Sequence, residues 1–137
     1  MKPLLRIIIF IFVFTASVAY AGGVTVYEPK KGARLIAGKT YTIKWRFEYE
    51  MSNPMIELYD PMTNAKVGTI ATPSNSNYNV CGTNIYCQKW KVPSNMNQCV
   101  RAIKITIGSA TGYSGDFRIM KKLKLITIPK EKINLNN

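Results

Sequence analysis

The sequence predicts an all-β protein, an antiparallel β-sandwich of seven to nine short strands. Outside the N-terminus no stretch of ten or more residues shows helical spacing of apolar positions, and short alternating segments separated by Gly, Pro and Asn occur instead. The clearest segment is 37–47, whose large side chains fall on one face of a strand: Tyr41, Ile43, Trp45 and Phe47. Because one hairpin cannot cover so much apolar surface, a second sheet is expected to pack over them.

The other strands follow in order along the chain. A first strand at 24–27 stops at Pro29, and a short segment at 33–36 precedes Gly38, so the first strand is expected to cross between the sheets at this break. Turn residues then separate predicted strands at 55–59, 66–72, 88–92, 100–107 and 113–120. The stretch 78–86 lacks alternation and is expected to be the least regular. This architecture is immunoglobulin-like.

Inward positions on these strands define the predicted core, and they are Ile43, Trp45, Trp90, Ile103, Ile105 and Phe117. Tyr41 or Phe47 is expected to be partly exposed near a rim. Because both tryptophans occupy inward positions, core packing is favoured over a platform for stacking sugars. The aromatic candidates for a ligand are therefore the loop-proximal Tyr78, Tyr86 and Tyr113, although nothing in the sequence unites them.

The N-terminal residues 1–21 have the organisation of a secretory signal peptide. Lys2 and Arg6 precede an apolar run, and the small-x-small sequence at 19–21 predicts cleavage before Gly22. A membrane anchor is the alternative, but the run is shorter than the roughly 20 residues that span a bilayer. The mature domain, 22–120, is thus expected to be periplasmic, extracellular or on the cell surface.

The chain is basic, with 19 Lys and Arg residues against 7 Asp and Glu residues and a net charge of +12. Removal of the signal peptide would leave +10, a charge that attracts polyanions. For an exported protein these would be acidic glycans, wall polymers or anionic membranes rather than nucleic acid. The basic extension at 121–137 supplies candidate polyanion-binding residues, Lys121, Lys122 and Lys124; the alternative is a protective, lysine-guarded edge strand.

Catalytic chemistry has little support in the sequence. The chain contains no histidine, which removes Ser-His and Cys-His pairs and the commonest metal ligand, and no cofactor is expected. Carboxylates could still act in pairs, as in a secreted carbohydrate-active enzyme, and the candidates are Glu48 with Glu50 and Glu57 with Asp60. Their neighbours are bases and turn formers, so solvated rim charges are the favoured interpretation.

Three cysteines, Cys81, Cys87 and Cys99, allow three single disulfide pairings. Cys81 and Cys87 bracket a turn-rich loop in a protein predicted to reach an oxidising compartment, and this local bond is the favoured pairing. It would leave Cys99 unpaired near the start of a strand. A bond that closes so short a loop is worth about 2 kcal/mol and braces the loop rather than the fold.

The order of several motifs resembles the Kre9/Knh1-like N-terminal domain. They are Pro-x-x-Gly at 29–32, Ala-Gly-Lys-Thr-Tyr-Thr-Ile-Lys-Trp at 37–45, Ile-Glu-Leu-Tyr at 56–59, Tyr-Asn at 78–79, Trp-Lys-Val-Pro-Ser at 90–94, Ile-Lys-Ile at 103–105 and Tyr-Ser-Gly-Asp-Phe-Arg-Ile at 113–119. The resemblance implies a secreted, immunoglobulin-like and non-catalytic module, associated with cell walls or surfaces, and it carries over no site residues. The expected function is thus a surface or wall-associated binding or structural module that contacts anionic or glycan polymers.

Overall fold

The structure is a computed structural model that describes residues 23–49 and 51–123. The predicted signal peptide and residues 124–137 of the extension lie outside this range. Among the described residues no helix is long and apolar enough to span a membrane. The regular structure there consists of β1 Thr25–Glu28, β2 Arg34–Ile36, β3 Thr40–Arg46, β4 Met55–Asp60, β5 Ala65–Ala71, β6 Tyr78–Gly82, β7 Ile85–Lys91, β8 Cys99–Ile107, β9 Ala110–Tyr113 and β10 Phe117–Met120.

These strands form two sheets. The smaller sheet has the order β1-β3-β7-β6, and the larger has the order β2-β10-β8-β4-β5, with β9 also pairing with β8. β9 pairs with the second half of β8 and β10 with the first, so β9 and β10 act as two halves of one strand. The centre of the larger sheet is thus formed by β4, β8 and the combined β9 and β10, and it is flanked by β5 on one side and β2 on the other. A four-stranded sheet packed against such a sheet is the arrangement of an immunoglobulin-like sandwich. The predicted all-β fold is confirmed.

The chain changes sheets early, as predicted. β1 pairs with β3 in the smaller sheet, whereas β2 pairs in parallel with β10 in the larger sheet. The chain then returns through Gly38, whose φ of 84° favours glycine and whose N–H donates to the Val92 carbonyl at 2.9 Å. The break at Pro29 therefore ends β1 and leaves β2 free to join the other sheet.

The core lies between the two sheets and contains all six residues predicted for it, namely Ile43, Trp45, Trp90, Ile103, Ile105 and Phe117. Phe47 is buried too, and Tyr41 is the rim residue of that strand. The Tyr41 hydroxyl accepts the N–H of Ile36 at 2.8 Å, which gives a half-buried ring a polar partner. The one-sided strand predicted within 37–47 is confirmed as β3, and Tyr41 is its partly exposed residue at the rim.

The prediction that 78–86 is irregular is wrong. This stretch forms a hairpin of β6 and β7, joined by Thr83 and Asn84, and Asn84 adopts the positive φ of 56° that such short turns need. The pairing register shifts between Val80 and Gly82, so Cys81 is an extra residue on its strand. A bulge of this kind breaks the period of two, which hid the strand from pattern analysis.

Candidate functional site

The carboxylates considered for catalysis that the structure describes, Glu48, Glu57 and Asp60, each lie in an ion pair with a basic residue. Glu57 binds Lys66 at 2.7 Å, and Asp60 lies 3.6 Å from Arg101 and accepts the Met62 N–H at 2.9 Å. Alternation along β4 also puts these two acids on opposite faces of the sheet. Glu48 binds Arg46 at 2.7 Å, and Glu50 lies outside the described residues.

The disulfide predicted from the sequence is present. Cys81 and Cys87 are bonded, with their Cα atoms 6.0 Å apart, and they tie β6 to β7. Cys99 is the unpaired cysteine of the described residues, half-buried at the start of β8 and packed against the core. The two alternative pairings through Cys99 are therefore wrong.

Tyr78 and Tyr86, two of the three aromatic ligand candidates, belong to the rim of the core. Their rings lie 5.8 Å apart and within 6.3 Å and 6.1 Å of the Trp45 ring. Both tyrosines are half-buried, and Trp45 is fully buried. Trp90 is buried as well, with its ring 6.4 Å from that of Phe117. This cluster is packing, and neither tryptophan offers a surface for stacking sugars.

Tyr113, the third candidate, lies on the outer face of the larger sheet with Tyr59. The two rings meet edge to face, 6.2 Å apart and 86° between planes, and Tyr113 is 51% exposed. Lys104 stands between them, with its Nζ 5.2 Å from the Tyr59 centroid and 6.0 Å from the Tyr113 centroid. These three residues come from three neighbouring strands. Lys104 of β8 lies opposite Tyr113 of β9. On the other side of β8, Tyr59 of β4 lies opposite Ala102.

Lys104 carries its charge at neutral pH. Its Nζ donates to the Tyr59 hydroxyl at 3.5 Å, and this hydrogen bond is the main cause that raises the pKa of Lys104 above its ordinary value. Attraction from Tyr113, Tyr59 and Glu57 acts in the same direction, whereas desolvation opposes it. The tyrosine pair is therefore accompanied by a fixed positive charge.

A cleft of about 350 Å³ opens beside the two tyrosines, and we call it the tyrosine cleft. Besides Tyr59 and Tyr113 it is lined by Pro61, Asn64, Ala102, Ser114 and Asp116. The Ser114 hydroxyl is already engaged, since it accepts the Ile103 N–H at 2.8 Å and donates to the Gly115 carbonyl at 3.0 Å. The Asn64 amide and the Asp116 carboxylate remain as polar groups at the rim. Aromatic walls with a few polar groups are typical of a small-molecule or sugar site.

A second opening of about 260 Å³, the arginine cleft, adjoins the first. It is lined by Gly32, Arg34, Val100, Asp116, Phe117 and Arg118, so Asp116 lines both clefts. Arg34 and Arg118 lie directly opposite each other in the parallel pairing of β2 and β10. Sequence analysis missed this pair. Alternation does turn Arg118 outward between two buried residues, but no local signal shows that β2 pairs with β10.

The basic extension is described only at its start. β10 ends at Met120, and Lys121 and Lys122 follow as exposed residues outside any strand. Together with Ser94 and Leu123 they line an open surface depression. Lys124, the third candidate, lies outside the described residues. No group of three or more Cys, Asp or Glu residues in 23–49 and 51–123 could hold a metal ion.

Comparison with known proteins adds little to this geometry. No family model matches the chain, and no curated protein matches it. Among solved structures, the chain is similar to a chimeric titin Z1Z2-Z1Z2 tandem functionalised with an exogenous peptide from fibronectin, with a TM-score of 0.43 and 13% identity. The match covers 74% of this chain and 51% of that chain, so the chain spans about half of the titin tandem.

Proposed function

We propose that the chain is an exported, non-catalytic binding module of the cell surface or cell wall, which contacts anionic or glycan polymers through the outer face of its larger sheet. The tyrosine cleft is the observation that carries this proposal. It combines two aromatic rings and rim polar groups in an open recess, and the charged Lys104 lies beside the two rings.

The cleft suits a sugar ring in shape and chemistry. Sugar rings present C–H faces that pack on aromatic rings, and their hydroxyls need hydrogen-bonding partners at the edge of the contact. The exposed face of Tyr113 supplies the aromatic surface, and Asn64 and Asp116 supply the hydrogen-bonding partners. One such contact is weak, but a polymer that meets many copies of the module on a surface gains from multivalency.

Charge and predicted location support the same class of partner. The net charge of +12 draws polyanions toward the protein, and most of that charge stays after the predicted cleavage. The Cys81–Cys87 disulfide fits the oxidising compartment that the signal peptide predicts. The resemblance to Kre9/Knh1-like domains points to the same class of exported, non-catalytic module.

Affinity electrophoresis through gels that contain a neutral β-glucan or polygalacturonate tests the proposal. The mature protein should be retarded by at least one of the two polymers. Tyr113→Ala should abolish the retardation, because it removes the exposed ring. Tyr27→Ala is the matched control, since Tyr27 is an exposed tyrosine on β1 of the other sheet. Unretarded wild type in both gels, or equal losses in both variants, would contradict the proposal.

The basic extension is expected to contribute a separate, salt-sensitive part of the affinity. If it docks on anionic polymers, the protein should sediment with anionic wall or membrane fractions at low ionic strength and be released by about 0.5 M salt. The triple variant Lys121→Gln, Lys122→Gln, Lys124→Gln should bind less at low salt and fold normally. Retention equal to wild type at every salt concentration would limit the extension to a role in solubility.

A further inference from the structure

We propose that Arg34 and Arg118 form a subsite for an oxyanion substituent of a saccharide, a carboxylate, sulfate or phosphate group, while the tyrosine cleft holds the sugar ring. This inference rests on the proposed function and names its ligand class, an acidic saccharide. It assigns the anionic group to two residues that lie away from the basic extension.

Like charges face each other across β2 and β10. Arg34 and Arg118 are opposite residues on neighbouring strands, an arrangement that destabilises a sheet unless the charges are compensated. Neither arginine forms an ion pair with a carboxylate of the described residues. Opposite positions on neighbouring strands bring both guanidinium groups within reach of one ligand, and their N–H donors match the oxygens of a carboxylate, sulfate or phosphate group. A bound oxyanion would supply the missing compensation.

Backbone hydrogen bonds hold the surroundings of the arginine pair in place. The Arg118 N–H donates to the Ala33 carbonyl at 2.8 Å, so the arginine backbone is held in the sheet. The Gly32 N–H donates to the Asp116 carbonyl at 2.7 Å, which fixes the loop beside it. Lys31 approaches so closely that a Cβ on Gly115 would lie 2.6 Å from the Lys31 Cβ. Arg34 and Arg118 share the arginine cleft with one acid, Asp116, and Lys31 lies beside Gly115, so basic residues outnumber acidic ones here.

The tyrosine cleft and the arginine cleft adjoin. Asp116 lines both, so a ligand that fills one cleft has its edge at the other. The Asp116 carboxylate can accept a hydrogen bond from a sugar hydroxyl, and it repels an anionic group placed directly on it. The ring is therefore directed toward Tyr113 and the anionic substituent toward Arg118. A membrane surface would use the arginines without the tyrosine recess, so the neighbouring cleft favours a saccharide.

Isothermal titration calorimetry of the full mature chain tests this assignment. The probes are a hexamer of galacturonate, the same hexamer with its carboxyl groups reduced to alcohols, a short dextran sulfate, and phosphatidylglycerol vesicles. The variants are Arg34→Gln with Arg118→Gln, and Arg34→Lys with Arg118→Lys, which keeps the charge. The control is Lys89→Gln with Lys91→Gln, which removes two exposed charges from the outer face of the smaller sheet.

The expected result is that wild type binds the acidic hexamer or dextran sulfate at least about tenfold more tightly than the reduced hexamer. The preferred acidic probe identifies a carboxylate or a sulfate as the favoured oxyanion. The glutamine pair should lose about tenfold in affinity, and the lysine pair several-fold, because lysine lacks the planar fork. The Lys89 and Lys91 control should change affinity less than twofold. Circular dichroism should show that all variants are folded.

Three outcomes would overturn the inference. One is an equal loss of affinity for the acidic probes in the arginine and control variants. A second is wild-type affinity in the variant with both arginines replaced by lysine, which would mean that the site attracts anions only by its general charge. The third is tighter binding to vesicles than to either saccharide.

If Tyr113→Ala still abolishes binding to the reduced hexamer while the arginine variants bind the acidic hexamer normally, the proposed function stands and the oxyanion subsite fails. If wild type binds no saccharide, the proposed function itself fails.

Discussion

The two sheets of the sandwich distribute their aromatic side chains in opposite ways. The smaller sheet turns Trp45, Phe47 and Trp90 inward and packs two tyrosines at the rim of the core. The larger sheet fills its inner face mainly with aliphatic side chains, and its tyrosines, Tyr59 and Tyr113, face outward. Most aromatic rings of the smaller sheet therefore contribute to packing, with Tyr27 as an exposed exception, whereas Tyr59 and Tyr113 are accessible from the outer face of the larger sheet.

Charge alone does not separate the two outer faces. The smaller sheet also presents cations, but Lys89 donates to the Thr42 hydroxyl at 2.9 Å and Arg46 binds Glu48 at 2.7 Å. The larger sheet leaves Arg34 and Arg118 without such a partner among the described residues and sets them beside an aromatic recess. What distinguishes the larger sheet is that its two arginines lie in register next to the tyrosine cleft.

The largest effect is expected for Trp45→Ala. Trp45 is fully buried, so the substitution removes a large apolar side chain and leaves a cavity between the sheets. We expect a loss of about 3 to 5 kcal/mol in the free energy of unfolding, enough to unfold a domain of this size. Chemical denaturation followed by circular dichroism measures it. An unchanged midpoint would show that the aromatic interior of the smaller sheet does not hold the fold together.

Alternation made this interior predictable from the sequence. Residues 41–47 follow a period of two, and 103–107 do the same, so both inner faces could be assigned before the structure was known. The turn between Cys81 and Cys87 was recognisable, but the hairpin at 78–86 could not be assigned, because the bulge at Cys81 shifts the period of two. Local irregularity, rather than missing apolar residues, caused the error.

The second effect is expected for loss of the disulfide. Replacing Cys81 and Cys87 with serine opens a loop of sequence separation 6 and should cost about 2 kcal/mol. The bond lies in the smaller sheet, so saccharide binding at the tyrosine cleft should not change. Non-reducing peptide mapping of the native protein should find Cys81 linked to Cys87, and Cys99 alkylated only after unfolding. A serine variant that folds but no longer binds saccharide would show that the disulfide in the smaller sheet affects the binding site on the larger sheet.

The candidate site was less predictable than the core. Tyr78, Tyr86 and Tyr113 looked alike in sequence, each close to a loop, yet two of them pack on Trp45 and one lines the tyrosine cleft. Which face a residue near a strand end occupies depends on register, and register depends on pairing partners far away in the chain. Arg34 and Arg118 are 84 positions apart and meet only because β2 joins β10 in parallel.

A gain in stability is expected for Gln88→Leu. Gln88 is buried on the inner face of β7, and its Oε1 has no hydrogen-bond partner among the residues that the structure describes. A buried carbonyl without a partner costs free energy, and leucine has a similar volume and needs no partner. We expect the free energy of unfolding to rise by about 1 kcal/mol, measured by denaturant titration at constant m-value. A loss of stability would mean that the amide makes a contact in solution that leucine cannot replace.

The smallest effect on stability is expected for Tyr113→Ala, and it completes the contrast with Trp45. Tyr113 is about half exposed, so little buried area is lost, and its chief contact is the edge-to-face pair with Tyr59. Such pairs contribute about 0.5 to 1.5 kcal/mol, and exposure places this one at the lower end. The unfolding midpoint should therefore barely move while glycan retardation disappears. A destabilisation as large as that of Trp45→Ala would make Tyr113 a packing residue, and the loss of binding by this variant would then report unfolding instead of a missing contact.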